Sequence, residues 1–458
     1  MNGPGSDFPG VAQAKKSAVP PPTEDTMATM FVARYASELR YCHDRGAWFQ
    51  WDGARWRPER KQLAFHYARE IARQCNPADM VSAAKAGTAR GVERFAQADP
   101  RLSAVAEDWD ADGWLFATPG GTVDLRSGKL RAARQDDLIT KCAAVAPARM
   151  PTPIWDRFLL EAAGGDMELV KFMQRMSGYA LTGDISEHAL FFCYGDGGNG
   201  KGVYLNTISR IMGDYAKAAN LELFNDSKHD RHPTELAALA GARLVTMQET
   251  QEGRAWDEVR IKALTGGDTV KARFMQRDFF EFAPTFKFII AGNHKPNLRS
   301  VDNAIRRRLN ILPFVNKPTQ PDPDLPEKLK PEWPGILAAL IEGCVEWQRS
   351  GLQQPPIVLS TTETYFEAQD TFTQWVEECC EQQTSKSDTT AALFASWKGW
   401  AERNGELPGN SKTFGEAMQK RGYQAVKNTP GHHGKRGYLG LQVAAKDTSK
   451  QWQNRDSE

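Results

Sequence analysis

The sequence has no paired Cys-x-x-Cys spacing: its 7 cysteines, Cys42, Cys75, Cys142, Cys193, Cys344, Cys379 and Cys380, are odd in number and scattered. That excludes a zinc site built on paired thiolates and a disulfide frame, and it suits a reducing compartment. Charge of one sign is not in excess either. Lys+Arg 58 against Asp+Glu 57 leaves a net charge of +1, so any contact with nucleic acid must come from local patches. No apolar run approaches the roughly 18 residues that a membrane span needs, and the N-terminus lacks a signal-peptide core. No internal repeat is present. The expectation is a soluble cytoplasmic protein, at 458 residues long enough for two to four domains.

The most informative stretch is Gly195-Asp196-Gly197-Gly198-Asn199-Gly200-Lys201. It follows an apolar run, Ala189 to Tyr194, and precedes a helical pattern, Val203 to Met212. Strand, glycine loop and helix in that order describe a P-loop. Glycines let the backbone turn its amides inward, so that N–H dipoles, the helix N-terminus and the Lys201 ammonium cradle a nucleoside triphosphate. The loop and Gly202 and Val203 beyond it are therefore candidate ATP-binding residues. One departure stands out: Gly202 occupies the place where a P-loop normally offers a Ser or Thr hydroxyl to magnesium, and a water must fill that coordination position.

Composition shifts divide the chain. Residues 1–25, rich in Gly, Pro, Ala and Ser, read as a disordered tail. Residues 26–150 read as an α+β module, with a helix from Thr26 to about His43 and a hairpin across Trp48 to Trp56. Trp48, Trp51 and Trp56 are either core or a base-stacking platform. Residues 151–350 read as the ATPase: Asp166 is placed to cap a helix, and apolar strands Arg243 to Met247 and Phe286 to Ala291 indicate a central parallel sheet. Prolines from 318 to 334 mark its end, and Gly335 to Gln348 is expected to form a small helical lid. Residues 351–359 read as a linker, 360–445 as a winged-helix DNA-binding domain, and 446–458 as a polar tail.

Four further features fit the loop. Leu244 to Met247 runs into Gln248-Glu249, and Glu249 is the candidate carboxylate for holding magnesium and polarising water. Asn293 follows the strand Phe286 to Ala291, where an amide can orient the attacking water beside the γ-phosphate. Arg306-Arg307-Arg308 is either a surface basic cluster or the source of an arginine finger reaching a neighbouring subunit, which would require an oligomer, most simply a ring. Finally, Thr265 to Phe282 reads as a hairpin carrying Lys271, Arg273 and Arg277, either solvated or gripping phosphates in a ring's pore. Lys386 to Arg436 holds nine Lys/Arg against four Asp/Glu, and Lys427, Lys435 and Arg436 are placed on its wing.

These motifs together resemble the helicase half of the phage and plasmid primase-helicase family, superfamily 3 helicases of AAA+ type related to poxvirus primase-helicases. The resemblance covers residues 30–350. It is carried by Gly178 to Asp184, Gly195 to Lys201, Glu249-Thr250, Lys262 to Asp268, Ala272-Arg273, Asn293-His294-Lys295-Pro296 and Arg307-Arg308-Leu309. It implies a hexameric ring moving three-prime to five-prime on single-stranded DNA in a bacterial host. ATP and Mg2+ would be its cofactors, and Lys201, Glu249, Asn293 and an arginine finger, Arg308 before Arg307, its ATPase residues. The primase catalytic domain often fused upstream is absent, so a separate primase is expected. The reading is an ATP-dependent replicative DNA helicase of a phage or mobile element, acting on replication-fork or origin DNA. The alternative is an ATP-binding initiator or loader that grips or melts an origin; a small-molecule kinase would share the loop but not the basic elements.

Overall fold

The computed structural model describes residues 22–75, 80–224, 234–248, 255–275, 278–298, 302–318, 320–405 and 407–444. Most of the expected N-terminal tail, the polar tail at 446–458, Glu249, Thr250 and Arg277 lie outside them. Among the described residues, five strands form one all-parallel sheet: β1 (Leu190–Tyr194), β2 (Ala216–Ala218), β3 (Leu244–Gln248), β4 (Lys287–Gly292) and β5 (Leu309–Pro313). Their spatial order is β5-β1-β4-β3-β2. A strand that is apolar at successive positions needs cover on both faces, and this sheet has it. Phe191, Cys193, Ile289 and Leu312 fill a core on one face; Leu190, Phe192, Phe288 and Ile311 fill a second core on the other.

The first face is covered by α1 (Pro153–Ala162), α2 (Met167–Ala180) and α3 (Lys201–Met212). The Asp166 carboxylate caps α2 by accepting from the N–H groups of Glu168 and Leu169 at 2.9 and 3.2 Å. The second face is covered by α4 (Glu258–Gly266). Downstream, α5 (Trp333–Ser350) lies against α2, and α6 (Pro356–Gln369) lies on β5. The expected lid is thus a core helix: Ile336, Leu337, Leu340 and Cys344 of α5 are buried. It crosses α2 where Gly178 meets the backbone of Gly343 and Cys344, a contact a Cβ on Gly178 would obstruct.

Three further differences from the sequence reading have physical causes. The first helix is Glu24–Tyr35, starting inside the expected tail and stopping well short of His43. Residues Leu39–Cys42 leave it because they pair antiparallel with Ala47–Trp51 and parallel with Ser103–Ala104. Within 26–150, the three-stranded sheet Leu115–Thr118, Gly121–Asp124 and Lys129–Arg131 packs not on the N-terminal helices but on the ATPase side, placing Phe116, Val123 and Leu125 in the first core. Finally, α6 begins at Pro356, in the expected linker, and runs into the expected last domain, because Tyr365 and Phe366 complete the second core.

The C-terminal core is built from Phe372, Trp375, Leu393, Trp397, Phe414 and Leu441. Helices Thr371–Cys379, Thr390–Arg403 and Ser411–Lys420 supply it, with an antiparallel sheet of Cys380–Thr389, Gly437–Val443 and Ala425–Val426. No helix among the described residues is long and apolar enough to cross a membrane.

Candidate active site

All five strands point the same way, so the loops leaving β1, β3 and β4 emerge at one edge, where the chain's path crosses from one side of β1 to the other. That is where ligands bind in open parallel sheets. The glycine loop follows β1 there and ends at Gly200, whose φ of +85° starts α3 in a backbone region that favours glycine. A Cβ at Gly200 would also lie 2.7 Å from the Phe158 ring of α1. The helix therefore opens without a side-chain cap, leaving its first N–H groups to the loop.

Lys201 is only 7% exposed. Its ammonium donates to Gly195 O at 2.5 Å, Asp196 O at 2.8 Å and Asn199 Oδ1 at 2.9 Å, and burial pushes its pKa below the usual lysine value. Asn199 Nδ2 donates in turn to Phe314 O, tying the loop to the end of β5. Beneath the loop, burial pushes the Cys193 thiol up to about 12, which makes it an inert core group and not a nucleophile.

Gly197 to Val203 line a cleft of about 330 Å³ together with Gln248, Ala291, Gly292 and Asn293. A Cβ at Gly197, Gly198 or Gly202 would meet nothing within 4 Å, so the cradle is open toward the cleft. Its chemistry fits a polyphosphate: backbone amides, a helix N-terminus and one ammonium on one wall, side-chain amides on the other. Gln248 Nε2 donates to Asn206 Oδ1 at 3.1 Å, and Asn293 is exposed at the end of β4. A second cleft of about 1030 Å³ shares Gly198, Asn199, Gly200 and Val203 with the first and extends to Arg157, Phe158 and Lys317. Among the described residues no group of three or more His, Cys, Asp or Glu gathers to hold a metal. Magnesium does not require one, since it keeps several waters and takes one or two carboxylates plus phosphate oxygens.

Two cations here had no role in the sequence reading. Lys295 Nζ sits 4.7 Å over the Tyr194 ring, its pKa lowered by burial, and Lys317 pairs with Asp196 at 3.7 Å. Lys295 stands two residues beyond Asn293, in the Asn293-His294-Lys295-Pro296 motif, where it was given no role of its own. Lys317 joins the loop only because β5 neighbours β1, a long-range fact.

The remaining candidates lie elsewhere. Arg306, Arg307 and Arg308 precede β5, at the edge of the sheet opposite the glycine loop. Arg306 pairs with Glu363 at 2.9 Å. Arg308 Nε donates to Thr265 Oγ1 at 3.1 Å and its NH1 to Ala304 O at 2.9 Å; Arg307 is exposed, its Nε donating to Asn303 O at 3.2 Å. Val270–Ala272 and Phe280–Phe282 pair antiparallel as the expected hairpin, with exposed Lys271 3.5 Å from Glu281 and Arg273 held over Phe279. Lys427, Lys435 and Arg436 are exposed in the turn between Ala425–Val426 and Gly437–Val443. Trp48 and Trp56 are 7% and 0% exposed, with their indoles donating to Glu93 and Gln135, so they are core.

Residues 28–164 match the family described as D5 N terminal like, and residues 193–308 match a family of unknown function, DUF5906. The chain is 25% identical over 348 residues to a protein of Acanthamoeba polyphaga mimivirus named "Putative helicase", an alignment covering 68% of this chain and 35% of that protein. It is 23% identical over 256 residues to a Frog virus 3 protein of the same name, covering 51% and 26% respectively. The chain thus spans about a third or less of these relatives. The apo C-terminal region of NrS-1 shares the fold, with a TM-score of 0.50 at 11% identity, over 92% of this chain and 99% of that one.

Proposed function

We propose, from this chain's place in the primase-helicase family, that it is an ATP-driven DNA helicase of superfamily 3 and AAA+ type. The observation that carries the reading is the convergence of the Gly195–Lys201 loop, Gln248 and Asn293 on one cleft at the carboxyl edge of the sheet. The loop is then a P-loop. The triphosphate lies on its amides, Lys201 transfers its hydrogen bonds from loop oxygens to β- and γ-phosphate oxygens, and the base and ribose extend into the larger cleft. Glu249, immediately after Gln248, polarises a water that Asn293 orients. The water oxygen attacks the γ-phosphorus, the bond to the bridging oxygen breaks, and ADP and phosphate leave. Glu249 would hold Mg2+, with a water in place of a hydroxyl at Gly202, and the ion would supply positive charge against the triphosphate.

The arginine finger acts across a subunit boundary in a ring, hexameric by family resemblance. Arg307 is preferred over Arg308, whose guanidinium is engaged inside its own chain. Single-stranded DNA is held by the hairpin bearing Lys271, Arg273 and Arg277. Residues 371–444 act as a winged helix touching duplex DNA through Lys427, Lys435 and Arg436. A phage or mobile element in a bacterial cytoplasm is the setting.

One observation favours the second reading, an initiator or loader: Gly202 offers magnesium no hydroxyl, which would slow turnover. The deciding experiment is magnesium-dependent ATP hydrolysis with and without single-stranded DNA, following displacement of an annealed strand in the same reaction. Stimulated turnover and displacement, both lost in Lys201→Ala, support the motor. ATP and DNA binding without turnover supports the initiator.

A further inference from the structure

The hairpin of Val270–Ala272 and Phe280–Phe282 is rooted in the second core and then leaves it. Val270 and Phe282, paired in register, pack against that core, and Ala272, opposite Phe280, is fully buried. Burial stops there, but apolar character does not. Phe274 is 44% exposed, Met275 71% and Phe279 60%. A merely solvated hairpin would carry polar side chains at such positions.

The rings are also ordered against one another. Phe274 and Phe280 stack with centroids 5.6 Å apart and planes within 19°, and the Arg273 guanidinium lies 4.8 Å from the Phe279 centroid. Strand alternation puts Phe274 and Phe280 on one face and Lys271, Arg273 and Phe279 on the other. Both faces of the hairpin's outer end therefore offer a ring, and one adds cations beside it.

We propose that Phe274, Phe279 and Phe280 form a stacking platform for the bases of single-stranded nucleic acid, with Lys271 and Arg273 holding the flanking phosphates. Every base has a π-face, so such a platform binds a strand without reading its sequence, as a translocating protein requires. Lys271 is shared with Glu281 at 3.5 Å, so Arg273 beside Phe279 is the cation that favours a polyanion over a second copy of the chain as the occupant. The proposal rests on the helicase reading for its strand, but it makes a separate claim. The hairpin recognises bases as well as phosphates, and the platform is this hairpin, not the hairpin near the N-terminus, whose Trp48 and Trp56 are buried.

The test uses the full chain and two labelled strands of equal length, one of thymidines and one with an internal run of abasic sites on an intact phosphate backbone. Wild type should bind the abasic strand more weakly, by on the order of tenfold for each ring engaged. The double variant Phe274→Ala/Phe279→Ala should lose most of the preference, keeping only what Phe280 supplies. Phe279→Trp should keep the preference, and Lys271→Ala should flatten the salt dependence while leaving the ratio of the two affinities in place. If wild type binds both strands equally and tightly, stacking is refuted while the helicase reading stands. If it binds neither, both fall. If the double variant keeps the preference but changes the assembly state, the rings contact a neighbouring subunit and the proposal is overturned.

Discussion

Gly202→Ser should restore to the loop the hydroxyl that magnesium lacks. The structure makes the substitution sterically free: a Cβ at Gly202 meets nothing within 4 Å, and Gly202 is the second residue of α3 with no positive φ to strain a side chain. Two effects follow, with separate readouts. Serine is about 0.5 kcal/mol better than glycine within a helix, which corresponds to a rise in melting temperature of ~1–2 °C. In addition, a tethered hydroxyl replaces a water whose immobilisation costs up to about 2 kcal/mol, so the magnesium concentration for half-maximal ATP hydrolysis should fall by roughly tenfold. Titrating Mg2+ at saturating ATP, with Gly202→Ala as the control for the helix effect alone, separates the two. If Gly202→Ser shifts the magnesium curve no further than Gly202→Ala, the ion does not sit beside position 202. The alignment of this loop with a P-loop would then be wrong at that residue.

Arg307→Ala should abolish turnover in the assembled protein while leaving ATP affinity within a few fold, whereas Arg308→Ala should mainly lower thermal stability by breaking its bonds to Thr265 and Ala304. Measuring both quantities for both variants checks the ranking, which fails if Arg308→Ala alone stops hydrolysis in a fully folded protein. Gly178→Ala should destabilise by about 1–3 kcal/mol, because its Cβ has no room against the α5 backbone, and a denaturant titration reads this directly. Lys287 is buried among the carbonyls of Thr182, Asp184 and Thr285, and burial lowers its pKa well below the usual lysine value. Between that depressed value and about 10.4, the unfolded chain holds a proton that the folded one has lost. Stability should therefore rise with pH across that window, and Lys287→Met should flatten the slope in melting curves taken at successive pH values. Ending the chain after Gln369 should preserve ATP hydrolysis, whereas ending it at residue 359 should not, since it removes Tyr365 and Phe366 from the second core.

The elements legible in the sequence are those whose cause is local. Ala189 to Tyr194 was readable as a strand and Gly195 to Lys201 as a loop opening a helix, since consecutive apolar residues and glycines of positive φ carry their own explanation. The strands Leu244–Gln248 and Lys287–Gly292 lie within one residue of expectation for the same reason. Elements that depend on distant partners were not legible. Leu39–Cys42 continues a helical pattern in sequence and becomes a strand through Ala47–Trp51 across a short turn, with Ser103–Ala104, some sixty positions away, on its other side. Prolines misled in the opposite direction. Pro326, Pro334 and Pro356 read as breaks, yet each stands in the first turn of a helix, where the missing N–H has no intrahelical partner to lose.

The polarity of the sheet also bears on the arginines. Because β1 and β5 run parallel and in register, the loop after Tyr194 and the arginines before Leu309 are separated by the full length of a five-residue strand, ~16 Å. No guanidinium at the amino edge can serve a nucleotide at the carboxyl edge of its own sheet. The cluster therefore holds the fold, lies free as a surface patch or, on the proposed ring, faces another subunit, and its members differ in which of these they suit. Arg306 is committed to Glu363 and the Phe366 ring, and Arg308 to Thr265 and Ala304. Arg307 is the most exposed of the three and, among the described residues, its side chain bonds only within its own helical turn, through Asn303. It is also the one whose removal changes least in the isolated chain, so a loss of turnover on its substitution would have to arise between subunits.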